Sequence, residues 1–99
     1  MKKVYTMTDL EKDIERKACQ WAKSQGWLVY KFTSPNYRSV PDRMFLKHGT
    51  TVFLEFKRPG GKLTEGQRRE IQKLNEAGFI AEVVYSVEDV QWQLNRVHT

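Results

Sequence analysis

Two hydrophobic periods alternate along this chain, and the places where one gives way to the other mark its elements. Leu10, Ile14, Ala18, Trp21 and Ala22 recur at helical spacing and so share one stripe of a helix. Thr8 to Glu11 has the form of a capping box and Gly26 supplies a stop, which predicts a first helix over residues 9–25. Residues 27–32 are rich in β-branched and aromatic side chains and read as a strand that ends at the turn signals Ser34, Pro35 and Asn36. Residues 43–46 form a second strand, joined through Lys47 to Thr50 to a third over residues 51–57. Short strands with brief connections predict an antiparallel meander.

Pro59, Gly60 and Gly61 break the third strand. Thr64 and Gln67 frame a second capping box, after which Ile71, Leu74 and Ala77 mark a helix that stops at Gly78. Residues 79–85 read as a fourth strand, expected to run parallel to the third because a helix intervenes. Ser86 can cap a last helix to about Asn95, with Val87, Val90 and Leu94 on one stripe. The order α-β-β-β-α-β-α predicts an α/β sandwich with helices covering a mixed sheet. With no repeat, linker or low-complexity stretch, residues 1–99 are expected to form a single domain around one modest core.

Composition narrows the function. A chain that is 39% hydrophobic and 12% aromatic is expected to fold, which argues against disorder. The single cysteine, Cys19, excludes an internal disulfide and a cysteine-cage zinc site. No apolar run approaches the length of a membrane span and there is no signal-peptide core, so a cytoplasmic location with no membrane contact is expected. The net charge of +5 and a pI near 9.5 suit a polyanionic partner.

Candidate chemistry lies at the end of the third strand. Side chains two apart on a strand share a face, so Glu55 and Lys57 project together while Leu54 and Phe56 project the other way. Asp42, after Pro41, would join them from the neighbouring strand. Two carboxylates about 4 Å apart repel by roughly 4 kcal/mol at an effective dielectric near 20, so the cluster calls for a cation. Oxygen ligands of that hardness favour Mg²⁺ or Mn²⁺.

These residues, in this order, resemble a known family. Val40 to Arg43, Phe53 to Lys57 and Leu63 to Gln67 look like the motifs of the VRR-NUC branch of the PD-(D/E)XK nucleases, and the likeness runs from the helix with Glu11 and Ile14 to the strand after Gly78. The resemblance implies a restriction-endonuclease-like fold and a divalent-metal-dependent DNA endonuclease. Stand-alone members of about this length resemble Holliday junction resolvases, so a homodimer acting on branched or four-way junction DNA is expected. By the same resemblance Glu11, Asp42 and Glu55 are metal ligands, joined by the backbone carbonyl of Phe56. Lys57 would orient the attacking water or offset charge on the phosphorane, and Gln67 would lie near that water. Glu11 and Gln67 are also capping-box residues, and Glu15, one turn on, is the alternative helical ligand. Whether one ion or two is held stays open.

Lys31, Arg38 and Arg43 flank the strand after Asp42, and Arg58 and Lys62 flank the loop after Lys57, a ring of cations suited to a phosphate backbone. Tyr37, beside Arg38, could stack on or prise open a junction strand. Arg68, Arg69 and Lys73 read equally well as a solvated helix face. His48 and His98 read as surface residues, Cys19 as a small core residue, and Trp21, Trp27 and Trp92 as core or interface anchors. The last helix, with Trp92, is a candidate dimer interface. Competing readings are an endonuclease or nickase without junction preference, a non-catalytic nucleic-acid-binding module, and a nonenzymatic subunit. The carboxylates argue against the last two, because a phosphate-binding surface loses affinity by repulsion from them.

Overall fold

The elements follow the predicted order: α1 (Met7–Ser24), β1 (Leu28–Lys31), β2 (Arg43–Lys47), β3 (Thr50–Phe56), α2 (Glu65–Glu76), β4 (Ile80–Val84) and α3 (Val87–Arg96). The computed structural model describes the backbone over residues 7–97 and side chains over residues 10–97. The sheet order is β1-β2-β3-β4. β1, β2 and β3 form the antiparallel meander, whereas β4 pairs parallel to β3, as the intervening helix requires.

One face of the sheet carries the core. Phe45 of β2, Val52, Leu54 and Phe56 of β3 and Val84 of β4 meet Ala18, Cys19 and Ala22 of α1 and Val90 and Leu94 of α3. The small α1 residues let that helix lie close against the bulky strand side chains. Gly26, at φ 93°, accepts the left-handed turn that ends α1 and swings Trp27 back beneath it, where Trp27 is buried.

The other face is covered only in part. α2 lies along β4 and buries none of its residues fully. Its Asn75 exchanges two 2.9 Å hydrogen bonds with the backbone of Ala81, and Asp89 accepts from the Tyr85 amide at 2.8 Å, so side chains plug the outward edge of β4. Further across, Phe53 packs against Phe32 and edge-on to Phe79, with ring centroids 5.2 and 5.9 Å apart, while Leu28 and Tyr30 of β1 stay exposed.

Several expectations shift. α1 already runs through Thr8, so Thr8 is not its N-cap; the side chains of Thr8 and Asp9, and His98, lie outside the described residues. Strand β1 is shorter than residues 27–32, although the Phe32 amide still donates to the Asp42 carbonyl at 3.0 Å. Trp92 is neither core nor inward-facing: it is 62% exposed with the Arg96 guanidinium 5.0 Å from its ring centre, because the α3 stripe that packs inward is Val87, Val90 and Leu94. Among the described residues no helix is long and apolar enough to cross a membrane.

Candidate active site

β3 is buried on both faces, so its alternation places Leu54 and Phe56 in the core and Glu55 on the opposite side, only 4% exposed. Asp42 arrives from the residue before β2, held by Pro41, whose ring is fully buried. Its Oδ2 accepts the Phe56 amide at 2.8 Å. On an extended residue the N–H and C=O point to the same side, so the Phe56 carbonyl opens toward Asp42 as well. The Lys57 amide donates to Val84 at 3.0 Å, which extends the strand geometry one residue past β3 and keeps Lys57 in phase with Glu55. Its ammonium sits 3.8 Å from Glu55 Oε2.

The start of α2 reaches the same carboxylate. Thr64 caps the helix: its hydroxyl accepts from the Gln67 amide at 3.1 Å, and its own amide donates to Gln67 Oε1 at 2.9 Å. A backbone N–H can only donate, so this second bond fixes which end of the Gln67 amide is oxygen. The remaining Nε2 donates to Glu55 Oε2 at 3.1 Å. Gln67 is therefore both a capping residue and a partner of the acid. The loop ahead of Asp42 is seated against the same turn, where a Cβ on Gly66 would collide with the Ser39 hydroxyl.

Burial raises the Glu55 pKa to about 8, and the adjacent Asp42 charge adds to the rise; Lys57 offsets part of it. Asp42 is also raised by burial, though the Phe56 amide and a hydrogen bond from Glu55 pull it back. Burial thus disfavours the charged form of both acids. A pair of carboxyls pressed together out of water must take up either a proton or a cation. Two carboxylates and a carbonyl, all oxygen, fit a hard divalent ion such as Mg²⁺, which commonly takes one or two protein carboxylates and fills the rest of its shell with water and phosphate oxygens.

The other expected residues fall differently. Among the described residues no third Asp, Glu, His or Cys joins Asp42 and Glu55 in a ligating cluster. Glu11 acts on Glu55 as a further negative charge. Glu15 is committed to Arg43, whose Nε lies 2.6 Å from it, so the pair removes one candidate ligand and engages one cation of the expected ring. Arg58 turns back to the Pro59 carbonyl at 3.3 Å, while Lys31, Arg38 and Lys62 are exposed. Tyr37 is exposed on its loop with the Lys73 ammonium 5.0 Å from its ring centre. The sequence reading passed over Lys12, Arg16 and Lys23, which join Lys31 and Arg43 around a cavity of about 420 Å³. The signal was present, since positions 12, 16, 19, 20 and 23 share one stripe of α1.

Known proteins share this sequence pattern and fold. The sequence profile of the VRR-NUC domain matches residues 16–88. Over 65 residues the chain is 42% identical to "Putative nuclease p44" of Acyrthosiphon pisum secondary endosymbiont phage 1, covering 65% of this chain and 70% of that protein. A solved structure described as a VRR_NUC domain superposes with a TM-score of 0.78 at 25% identity, covering 86% of this chain and 94% of its own. A second, a VRR_NUC domain protein, shares the fold with a TM-score of 0.73 at 17% identity, covering 86% of this chain and 84% of its own. With motifs, fold and profile in agreement over most of its length, the chain belongs to the VRR-NUC nuclease family.

Proposed function

We propose that this nuclease is a Mg²⁺- or Mn²⁺-dependent DNA endonuclease that cuts branched substrates such as four-way junctions as a homodimer. The observation that carries the reading is the pair of buried Glu55 and half-buried Asp42 with Lys57 beside it. The two carboxylates and the Phe56 carbonyl would hold the ion. When bound, it would polarise the phosphodiester and lower the pKa of a water at the site. Lys57 offsets negative charge that develops on the phosphate in the transition state. Gln67, oriented by Thr64, keeps the Glu55 carboxylate in place, and Glu11 adds negative charge that favours a cation.

The dimer and the junction preference rest on the geometry of the substrate. One chain offers one acid pair, and paired cuts across a junction need two sites, which a two-fold dimer supplies symmetrically. Leu28, Tyr30 and Phe79 lie exposed along the incompletely covered sheet face, an apolar surface suited to a second copy, and Trp92 on α3 offers another. Reduced Cys19 and the lack of a long apolar helix among the described residues suit a cytoplasmic protein.

The deciding experiment incubates the protein with four-way junction, flap, nicked and linear duplex DNA in Mg²⁺, Mn²⁺ or chelator. Symmetric junction cleavage that chelator abolishes supports the whole reading. Equal cleavage of every substrate supports an endonuclease or nickase without junction preference, and binding without cleavage in either metal supports a non-catalytic module.

A further inference from the structure

We infer that the groove between α1 and the adjoining ends of β1 and β2 seats backbone phosphates of the DNA strand as it leaves the acid pair. The inference rests on the nuclease reading and extends it to residues outside the family motifs. Lys12, Arg16 and Lys23 rise from one stripe of α1, while Lys31 and Arg43, paired in register across β1 and β2, face them over the cavity. Glu15 is the one acid in its lining.

A solvated helix face normally mixes its charges, and the neighbouring part of α1 does so through Asp13, which pairs with Arg16 and Lys17. Within the groove Arg16 and Arg43 follow that pattern, and its three lysines depart from it. Glu15 neutralises Arg43, and among the described residues no ion pair engages Lys12, Lys23 or Lys31. Apart from these charged residues the lining holds only the neutral Cys19 and Gln20.

Position and length identify the occupant. Arg43 directly follows Asp42 at the start of β2, so the groove meets the sheet at the same strand end as the acid pair, from its α1 side. Lys12 and Lys23 are eleven residues apart, roughly 16 Å along a helix that rises 1.5 Å per residue. A strand of B-DNA advances about 3.4 Å along the axis per phosphate and farther than that along its own winding path, so the stripe can follow several phosphates and at most about five. Cations strung out in a line suit a polyanion better than a single small anion.

The test measures anisotropy of a fluorescein-labelled four-way junction with the full chain in chelator, from 50 to 300 mM salt. Replacing Lys12, Lys23 and Lys31 together by Gln should weaken binding about tenfold or more at low salt. It should also reduce the slope of log affinity against log salt by between two and three, at about 0.9 per lost phosphate contact. A second triple, Lys17, Arg68 and Arg69 to Gln, removes the same charge from residues that do not line the groove and should leave the slope near that of the parent. An unchanged slope in the groove triple, or an equal fall in both, overturns the inference. Circular dichroism melts confirm that both variants fold. Loss of cleavage by the parent protein in Mg²⁺ and Mn²⁺ would defeat the nuclease reading separately, since the binding measurement needs no turnover.

Discussion

The two faces of β3 are equally dry and energetically opposite. Leu54 and Phe56 are fully buried on one side, and Phe53 and Glu55 are 7% and 4% exposed on the other. Taking a leucine side chain out of water stabilises a fold by about 1.5 to 3 kcal/mol. Taking the Glu55 carboxylate out of water, beside Asp42, drives its pKa to about 8 instead. One strand thus spends stability gained in the core on an acid pair that is poised for a cation. The partners that make the arrangement tolerable come from elsewhere: the Phe56 amide on Asp42, and Lys57 and Gln67 on Glu55.

The sharpest way to break this contrast is to alter each face in turn. Glu55→Gln should lower cleavage by about a thousandfold or more, yet leave the metal-free protein as stable as before or more so, because Gln is neutral and has the shape of the protonated acid that burial favours. Leu54→Ala should cost about 2 to 5 kcal/mol by opening a cavity, while the fraction that stays folded keeps its turnover number. Urea titration alongside single-turnover kinetics reads both effects. If Glu55→Gln destabilises as strongly as Leu54→Ala, the two faces are not opposed.

Lys57→Ala comes next, with about a hundredfold loss in rate, worth about 3 kcal/mol in the transition state. Calorimetry should find Mn²⁺ still bound, and full cleavage by this variant would remove Lys57 from the chemistry.

A pH series sharpens the electrostatic half of the comparison. The folded protein holds the Glu55 proton to a pH of about 8, whereas the unfolded chain releases it near its ordinary 4.5, so the folded state binds more protons in between. Metal-free stability should therefore be fully present below about pH 4.5, as far as this group is concerned, and decline as pH rises toward 8. The raised Asp42 acts in the same direction. Mn²⁺ has to displace that proton, so its binding should tighten over the same interval and flatten the decline. Denaturant midpoints with and without Mn²⁺ follow both trends, and coincident flat profiles would mean that the acids ionise normally.

The smallest effects belong to the junction between site and scaffold. Thr64→Ala should cost about 1 kcal/mol of stability through loss of the cap. Gln67→Ala should cost a similar amount and slow cleavage several-fold more, since it also releases Glu55. Equal rates in the two variants would leave Gln67 a capping residue alone.

Much of this was legible along the chain because it is local. The α2 cap at Thr64 and Gln67, the pairing of Glu55 with Lys57 across one residue, and the parallel β4 after a helical crossover all follow from short-range rules. The exception at short range was Thr8, where a capping box was legible in the residues but the helix begins further upstream. Of the two places read for Trp92, core or interface, the core is excluded because its position on α3 turns it outward.

Sequence alone determined the element order, the strand that carries Glu55 and the acids and amine that converge on it, because alternation and capping depend on neighbours a few residues apart. Tertiary structure decided which of several equivalent charges do what. Arg43 and Glu15 lie 28 residues apart and become an ion pair, Gln67 reaches Glu55 across 12, and Lys12, Lys23 and Lys31 line one groove. Long, flexible charged side chains carry no period that reveals their partners, so only the packing of α1 and α2 against the sheet selects among them.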